Sequence, residues 1–181
     1  DNEIFSELAF CLMTPQTKAK SADLVVKKLK EKNLLLSGDA AQLKTWMAPI
    51  RFNKNKSRYI VEARRLFSDS NGNVRLKERL GGKDVFALRE WLIENVKGIG
   101  YKEASHFLRN IGKGDDIAIL DRHILKNLVK YKVIDEVPKS LTDKKYLDIE
   151  EKMRAFAQQT GIPFAHLDLL WWSEETGEIF K

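Results

Sequence analysis

Apolar side chains recur at three- and four-residue intervals along almost the whole chain, the period of a helix with one buried face. Ile4, Phe5, Leu8, Ala9 and Leu12 form the first stripe. Thr14-Pro15 then predicts a stop and a restart, with Thr14 as N-cap and Pro15 at the first helical position. Ala22, Val25, Val26 and Leu29 carry the next stripe, and Ser37-Gly38-Asp39 reads as a turn with a cap. A short helix through Leu43 and Met47 ends before Pro49, and a longer basic one runs past Tyr59, Ile60, Ala63, Leu66 and Phe67. Asn71-Gly72-Asn73 marks a loop, after which Asp84 caps a helix through Phe86, Leu88, Trp91 and Leu92.

The second half continues in the same way. A helix is expected from Tyr101 towards Ile111, ended by Gly112 and Gly114. Ile117-Ala118-Ile119-Leu120 is the one β-like run, too short and isolated for a sheet, and reads as an extended connector. Asp121 then caps a helix through Ile124, Leu125 and Leu128. One helix is predicted from about Thr142 to Gln159 and another from Pro163 to about Trp172. The class is all-α.

Composition changes this picture little, and charge changes it more. The 181 residues suffice for one compact unit or two small lobes. Hydrophobic residues make up 43%, as in globular proteins, and the net charge is +6. A positive balance suits a polyanion such as nucleic acid, although charge alone does not prove it. A single cysteine, Cys11, excludes an intramolecular disulfide or a cysteine-ligated cluster and is compatible with a reducing cytosol. No apolar run is long enough to span a bilayer, and no secretory signal is evident. The chain begins at Asp1 rather than Met, which leaves room for residues before it.

The segment richest in information is Val96-Lys97-Gly98-Ile99-Gly100-Tyr101-Lys102-Glu103-Ala104, between two helical stripes. Two glycines flank one apolar residue, so the backbone can turn tightly while Ile99 enters the core. The amides after the turn open the next helix, where N–H groups without helical partners attract anions. This is a helix-hairpin-helix pattern, suited to gripping a DNA phosphate through Gly98 and Gly100 without reading sequence. An ordinary glycine corner between two helices is the plainer alternative.

Gly98 to Ala104, followed by Ile119-Leu120-Asp121-Arg122-His123-Ile124, resembles the signature of base-excision DNA glycosylases. The resemblance implies that Lys102 is the nucleophile of a bifunctional member and Asp121 its acidic partner. Further segments resemble the second, archaeal and bacterial, group of 8-oxoguanine glycosylases: Phe5 to Lys18, Arg51-Phe52-Asn53, and His166 to Lys181. The cysteines of the endonuclease III and adenine-glycosylase iron–sulfur loop are absent. The fold implied is two helical subdomains with the active site in the cleft between them. Residues 15–113 would form one, and residues 1–14 with 114–181 the other.

The chemistry so implied is base removal followed by strand cleavage. A free lysine is mostly protonated at neutral pH, so partial burial and nearby helix N-termini are expected to favour the amine. Lys102 would attack C1′ and form an imine, and β-elimination would cut the strand. Asp121 would stabilise the cationic sugar. Phe52 and Trp172 would line or sandwich the extruded base, and Lys181, with its terminal carboxylate, would close the pocket. Gln16 would fill the gap in the helix, and His123 would contact a phosphate. Alternatives stand beside these: Phe52 and Trp172 as core, Gln16 as a polar residue at a helix start, Lys102 on a solvated surface, Asp121 as a cap only. Lys54, Lys56, Arg58, Arg64 and Arg65 either track the DNA backbone or form a solvated face.

No cofactor is expected. The resemblance allows a structural monovalent cation at the hairpin and implies no iron–sulfur cluster. The expected partner is duplex DNA containing 8-oxoguanine, bound by a monomer, away from membranes, in the nucleoid-associated cytoplasm of an archaeon or bacterium. Two other functions remain open at this stage: a glycosylase for a different oxidised base, and a non-catalytic helix-hairpin-helix module.

Overall fold

The apolar stripes become helices in the computed structural model, which describes residues 1–82 and 84–177, the side chains of 175 and 176 apart. In chain order these are α1 (Asn2–Met13), α2 (Ala19–Glu31), α3 (Leu34–Ser37), α4 (Ala40–Trp46), α5 (Asn53–Phe67), α6 (Leu76–Leu80), α7 (Val85–Asn95), α8 (Tyr101–Asn110), α9 (Arg122–Lys130), α10 (Asp143–Thr160) and α11 (Phe164–Thr176). The short helices α3 and α6 have no apolar period long enough to announce them. The only β pairing among the described residues is one antiparallel bridge, Ser68 to Val74, closing the Asn71-Gly72-Asn73 loop. No helix among them is long and apolar enough to cross a membrane.

The chain divides into two compact units, Asp1–Phe107 and Leu108–Lys181. In the first, α1 is the hub. Phe5, Leu8, Ala9, Phe10, Cys11, Leu12 and Met13 are all buried, and the helix packs on α2, α5 and α6. A helix this apolar must be enclosed by its neighbours rather than lie at the surface. Packing thus groups α1 with the residues that follow it, whereas the sequence expectation groups residues 1–14 with 114–181.

One helix boundary is corrected. Thr14 does not start a helix; it ends α1, its backbone N–H bonding Phe10 O and its hydroxyl donating to Cys11 O. Pro15 lies in the turn that follows, and α2 begins only at Ala19. The Thr-Pro signature fits either end of a helix, and the buried run before it settled the matter. The expected caps at Asp39, Asp84 and Asp121 are all present, Asp39 with Gln42 forming a reciprocal capping box, and Thr142 caps α10.

In the second unit α11 packs on α9 and α10. Trp171 is buried, stacked on Tyr131 at 5.5 Å and tilted against Phe156 at 5.8 Å.

Candidate active site

The glycine turn is built from both sides. Val96 ends α7 and is buried, and Ile99 is buried as expected. Gly98 between them adopts φ +90°, a left-handed conformation that side chains rarely tolerate. It also lies on the Tyr59 ring, so that a Cβ there would stand 2.4 Å from Tyr59 Cδ2. Gly100 is different: a Cβ would meet only Glu103 Oε2, at 3.6 Å. Two polar contacts fix α8 to α7. The Tyr101 hydroxyl donates to Glu90 at 2.6 Å, and the Arg89 guanidinium donates to Ser105 Oγ at 3.2 Å. Lys102 sits in the first turn of α8, its side chain 29% exposed and its Nζ 3.1 Å from Glu103 Oε1. Glu103 was missed as a site residue, because an acid in the first turn of a helix looks like ordinary dipole pairing.

A second feature of this unit lies around α5. Phe52 caps the helix at φ +59° and is 54% exposed, so it is not core. The Arg51 guanidinium lies over its ring at 5.0 Å. Gln16, exposed, sits in the α1–α2 turn at φ +54° rather than at a helix start. Lys54, Arg58 and Arg65 are exposed, as a DNA-tracking or solvated face requires. Lys56 and Arg64 are not, and the reading of them as part of that face is corrected.

Arg64 donates to the carbonyls of Leu35 and Gly38, and burial lowers its pKa. Lys56 is buried, with Nζ 2.7 Å from Met13 O, 2.6 Å from Pro15 O and 3.3 Å from Thr17 Oγ1. Burial pulls its ammonium from 10.5 down to about 8, opposed by Glu103 and assisted by Lys102. Both residues fall on the stripe of Ile60, Ala63 and Phe67, a stripe traced in the sequence from apolar residues alone. Lys56 also lines a depression of ≈ 200 Å³ with Leu12, Pro15, Phe52, Asn55, Tyr59 and Gly98. Phe52 and the hairpin glycine therefore share one surface recess.

In the second unit the β-like run is a buried connector. Its backbone is satisfied by α10 side chains instead of a strand: Ala118 N–H donates to Glu150, Leu120 N–H donates to the Tyr146 hydroxyl, and that hydroxyl donates to Ala118 O. So held, the connector delivers Asp121 to the start of α9. Its Oδ1 accepts from the His123 and Ile124 N–H groups at 2.8 and 2.9 Å. His123 is half-buried in the first turn. Trp172 on α11 is half-buried, next to the core residue Trp171. Lys181 lies outside the described residues.

One pair escaped the sequence reading: Arg109 Nη1 lies 2.6 Å from Asp168 Oδ2. Burial pushes the Asp168 carboxyl up; Arg109 opposes this, and the charge of Asp121 adds to it. Of the other histidines, His106 packs edge-on against Phe10, and His166 is exposed. No group of three His, Cys, Asp or Glu residues among the described residues suits a metal ion.

A glycine hairpin opening directly into a helix that carries a half-buried lysine, and an aspartate capping a later helix, together define the helix-hairpin-helix DNA glycosylase class. The family model described as 8-oxoguanine DNA glycosylase matches residues 1–162. An 8-oxoguanine DNA glycosylase/AP lyase of Fusobacterium nucleatum subsp. nucleatum is 48% identical over 182 residues, covering 100% of this chain and 83% of the relative. Its counterpart in Korarchaeum cryptofilum is 40% identical over 100% of this chain and 84% of its own length. Among solved structures, the Methanocaldococcus jannaschii 8-oxoguanine glycosylase/lyase in complex with 15mer DNA containing 8-oxoguanine has a TM-score of 0.85 and 38% identity. That match covers 99% of this chain and 83% of the other. The chain belongs to the 8-oxoguanine DNA glycosylase family.

Proposed function

We propose that this chain removes 8-oxoguanine from DNA and then cuts the strand at the emptied sugar, with Lys102 as nucleophile and Asp121 as its acidic partner. The observation that carries the reading is the join of hairpin to helix. The turn that offers amides to a phosphate leads within two residues to a part-buried amine, 3.1 Å from a carboxylate that can take its proton. Nζ attacks C1′, the glycosidic bond breaks and the base leaves with the bonding electrons. Ring opening gives an imine between Nζ and C1′. Loss of a C2′ proton then expels the 3′ phosphate by β-elimination.

Asp121 stabilises the positive charge that develops on the sugar. Its helix-cap bonds both go to Oδ1, which keeps the carboxylate fixed and leaves Oδ2 for this task. Amides at Gly98 and Gly100, with His123, hold phosphates. Phe52 and Trp172 receive the base, Lys181 closes over it, and Gln16 fills the gap it leaves.

The route draws on no cofactor. A monovalent cation at the hairpin carbonyls would serve structure only. Val96 O, which receives a long 3.3 Å bond from Ile99 N–H, has a lone pair to give. The functional division into 15–113 and 1–14 with 114–181, and action as a monomer, belong to the same proposal.

Borohydride trapping on a duplex containing 8-oxoguanine tests the chemistry, because only an imine is trapped. A covalent adduct is expected, lost in Lys102→Gln. Asp121→Asn should slow base removal roughly 100-fold with little change in DNA affinity. Intact DNA binding with no adduct would instead identify a non-catalytic hairpin module.

A further inference from the structure

Lys56 takes no part in the chemistry above, yet its ammonium is among the most completely engaged polar groups of the first unit. An ammonium has three donors, and three acceptors stand around this one: Met13 O, Pro15 O and Thr17 Oγ1. Met13 is the last residue of α1, where the negative end of a helix favours a cation. Thr17 extends the brace, its hydroxyl oxygen also accepting from the Arg51 backbone N–H at 3.2 Å.

One buried cation therefore joins two pieces of chain distant in sequence. The first is the turn that carries Gln16. The second is the start of α5, where Arg51 and Phe52 precede Lys56 by about one helical turn. Gln16 and Phe52 are both in the left-handed region, at φ +54° and +59°, and both are exposed. Non-glycine residues stay there only when their surroundings hold them. The Lys56 and Thr17 contacts are such a hold.

We propose that Lys56 is a positioning residue for base extrusion, holding Gln16 and Phe52 at a fixed separation so that gap-filling side chain and base-receiving ring are offered as one preset pair. This rests on the roles proposed above for those two residues. Presetting matters because a displacement of about 1 Å at a reacting site can cost on the order of 100-fold in rate. Lys56→Met keeps the length and volume of the side chain but donates nothing to the three oxygens.

The test compares two substrates under single-turnover conditions: a duplex with 8-oxoguanine, and the same duplex with a preformed abasic site. The abasic sugar needs Lys102 but has no base to unstack or receive. Lys56→Met should slow 8-oxoguanine removal roughly 100-fold while strand cleavage at the abasic site is little changed. Fluorescence of 2-aminopurine beside the lesion should rise less in the variant. Thr17→Val, which removes one arm of the brace, should move in the same direction, and it serves if Lys56→Met does not fold.

Equal losses on both substrates would overturn the proposal, since a general structural defect harms both. So would unchanged 8-oxoguanine removal by folded Lys56→Met. Gln16→Ala and Phe52→Ala separate the two levels. If neither slows base removal, the reading of those residues fails and takes the proposal with it. If they slow it and Lys56→Met does not, the proposal about Lys56 alone is overturned.

Discussion

The hairpin at Gly98 and the turn at Gln16 both hold backbone in a left-handed conformation, and opposite causes put it there. At Gly98 the cause is local. The residue itself lacks a Cβ, and the Tyr59 ring fills the space a Cβ would need. At Gln16 the residue opposes its own conformation, and the proposed hold comes from Lys56, 41 residues beyond Pro15, through its hydrogen bonds to Met13 O and Pro15 O. A conformation written into the residue that adopts it can be read from sequence. One imposed by a distant side chain cannot.

The largest expected effect probes the local case. Gly98→Ala puts a methyl at φ +90° and 2.4 Å from Tyr59 Cδ2. Left-handed strain costs about 1–2 kcal/mol and overpacking about 1–3 kcal/mol, so denaturant unfolding should show a loss of about 3 kcal/mol. A double-mutant cycle with Tyr59→Ala should give a favourable coupling, because the smaller residue relieves the clash but not the strain. A loss under about 1 kcal/mol, small beside both terms, would mean that the turn is not fixed by its glycine.

The same division accounts for what the sequence made legible. Long stripes, acidic caps and the glycine turn depend on neighbours in the chain, and the helices of α1, α2, α5 and α7 to α11 with the caps at Asp39, Asp84 and Asp121 could be named from them. So could Lys102 and Asp121 as candidates, since both sit at fixed offsets from a turn or a cap. What stayed hidden depends on partners far away. Lys56 and Arg64 look like surface cations until the carbonyls of Met13, Pro15, Leu35 and Gly38 are brought to them. Arg109 and Asp168 are 59 residues apart and make an ion pair only after folding. The Thr14-Pro15 break was visible but its direction was not, since the same residues serve either end of a helix.

A pH titration of stability probes the distant hold, with a smaller effect. In the folded chain Lys56 loses its proton near 8; in the unfolded chain it keeps the ordinary value of 10.5. Between those values the unfolded state binds more protons, so raising the pH favours the native state. The stability of the native sequence minus that of Lys56→Met should therefore be flat below about pH 7, rise from about pH 8, and level off near 10.5. Groups that do not interact with Lys56 cancel in the difference. A flat difference across the whole range would mean that the three oxygens around the ammonium offset the cost of its burial in full.

The smallest effect on stability is expected at Gly100, and it sharpens the contrast within the hairpin itself. This glycine is not held at positive φ, and a Cβ there meets only the Glu103 carboxylate at an ordinary 3.6 Å. Its carbonyl already accepts from Ala104 N–H at the start of α8. Alanine at such a helix start costs about 0.5–1 kcal/mol relative to a better capping residue, so Gly100→Ala should unfold close to the native sequence and far from Gly98→Ala. If the amides of this turn approach a phosphate closely, the added methyl should weaken DNA binding several-fold, about 1 kcal/mol, in a salt titration that includes undamaged duplex. Loss of affinity with stability kept would show that Gly98 is a glycine for the protein's own packing and Gly100 for its partner. A stability loss equal to that of Gly98→Ala would show instead that both glycines answer to the fold.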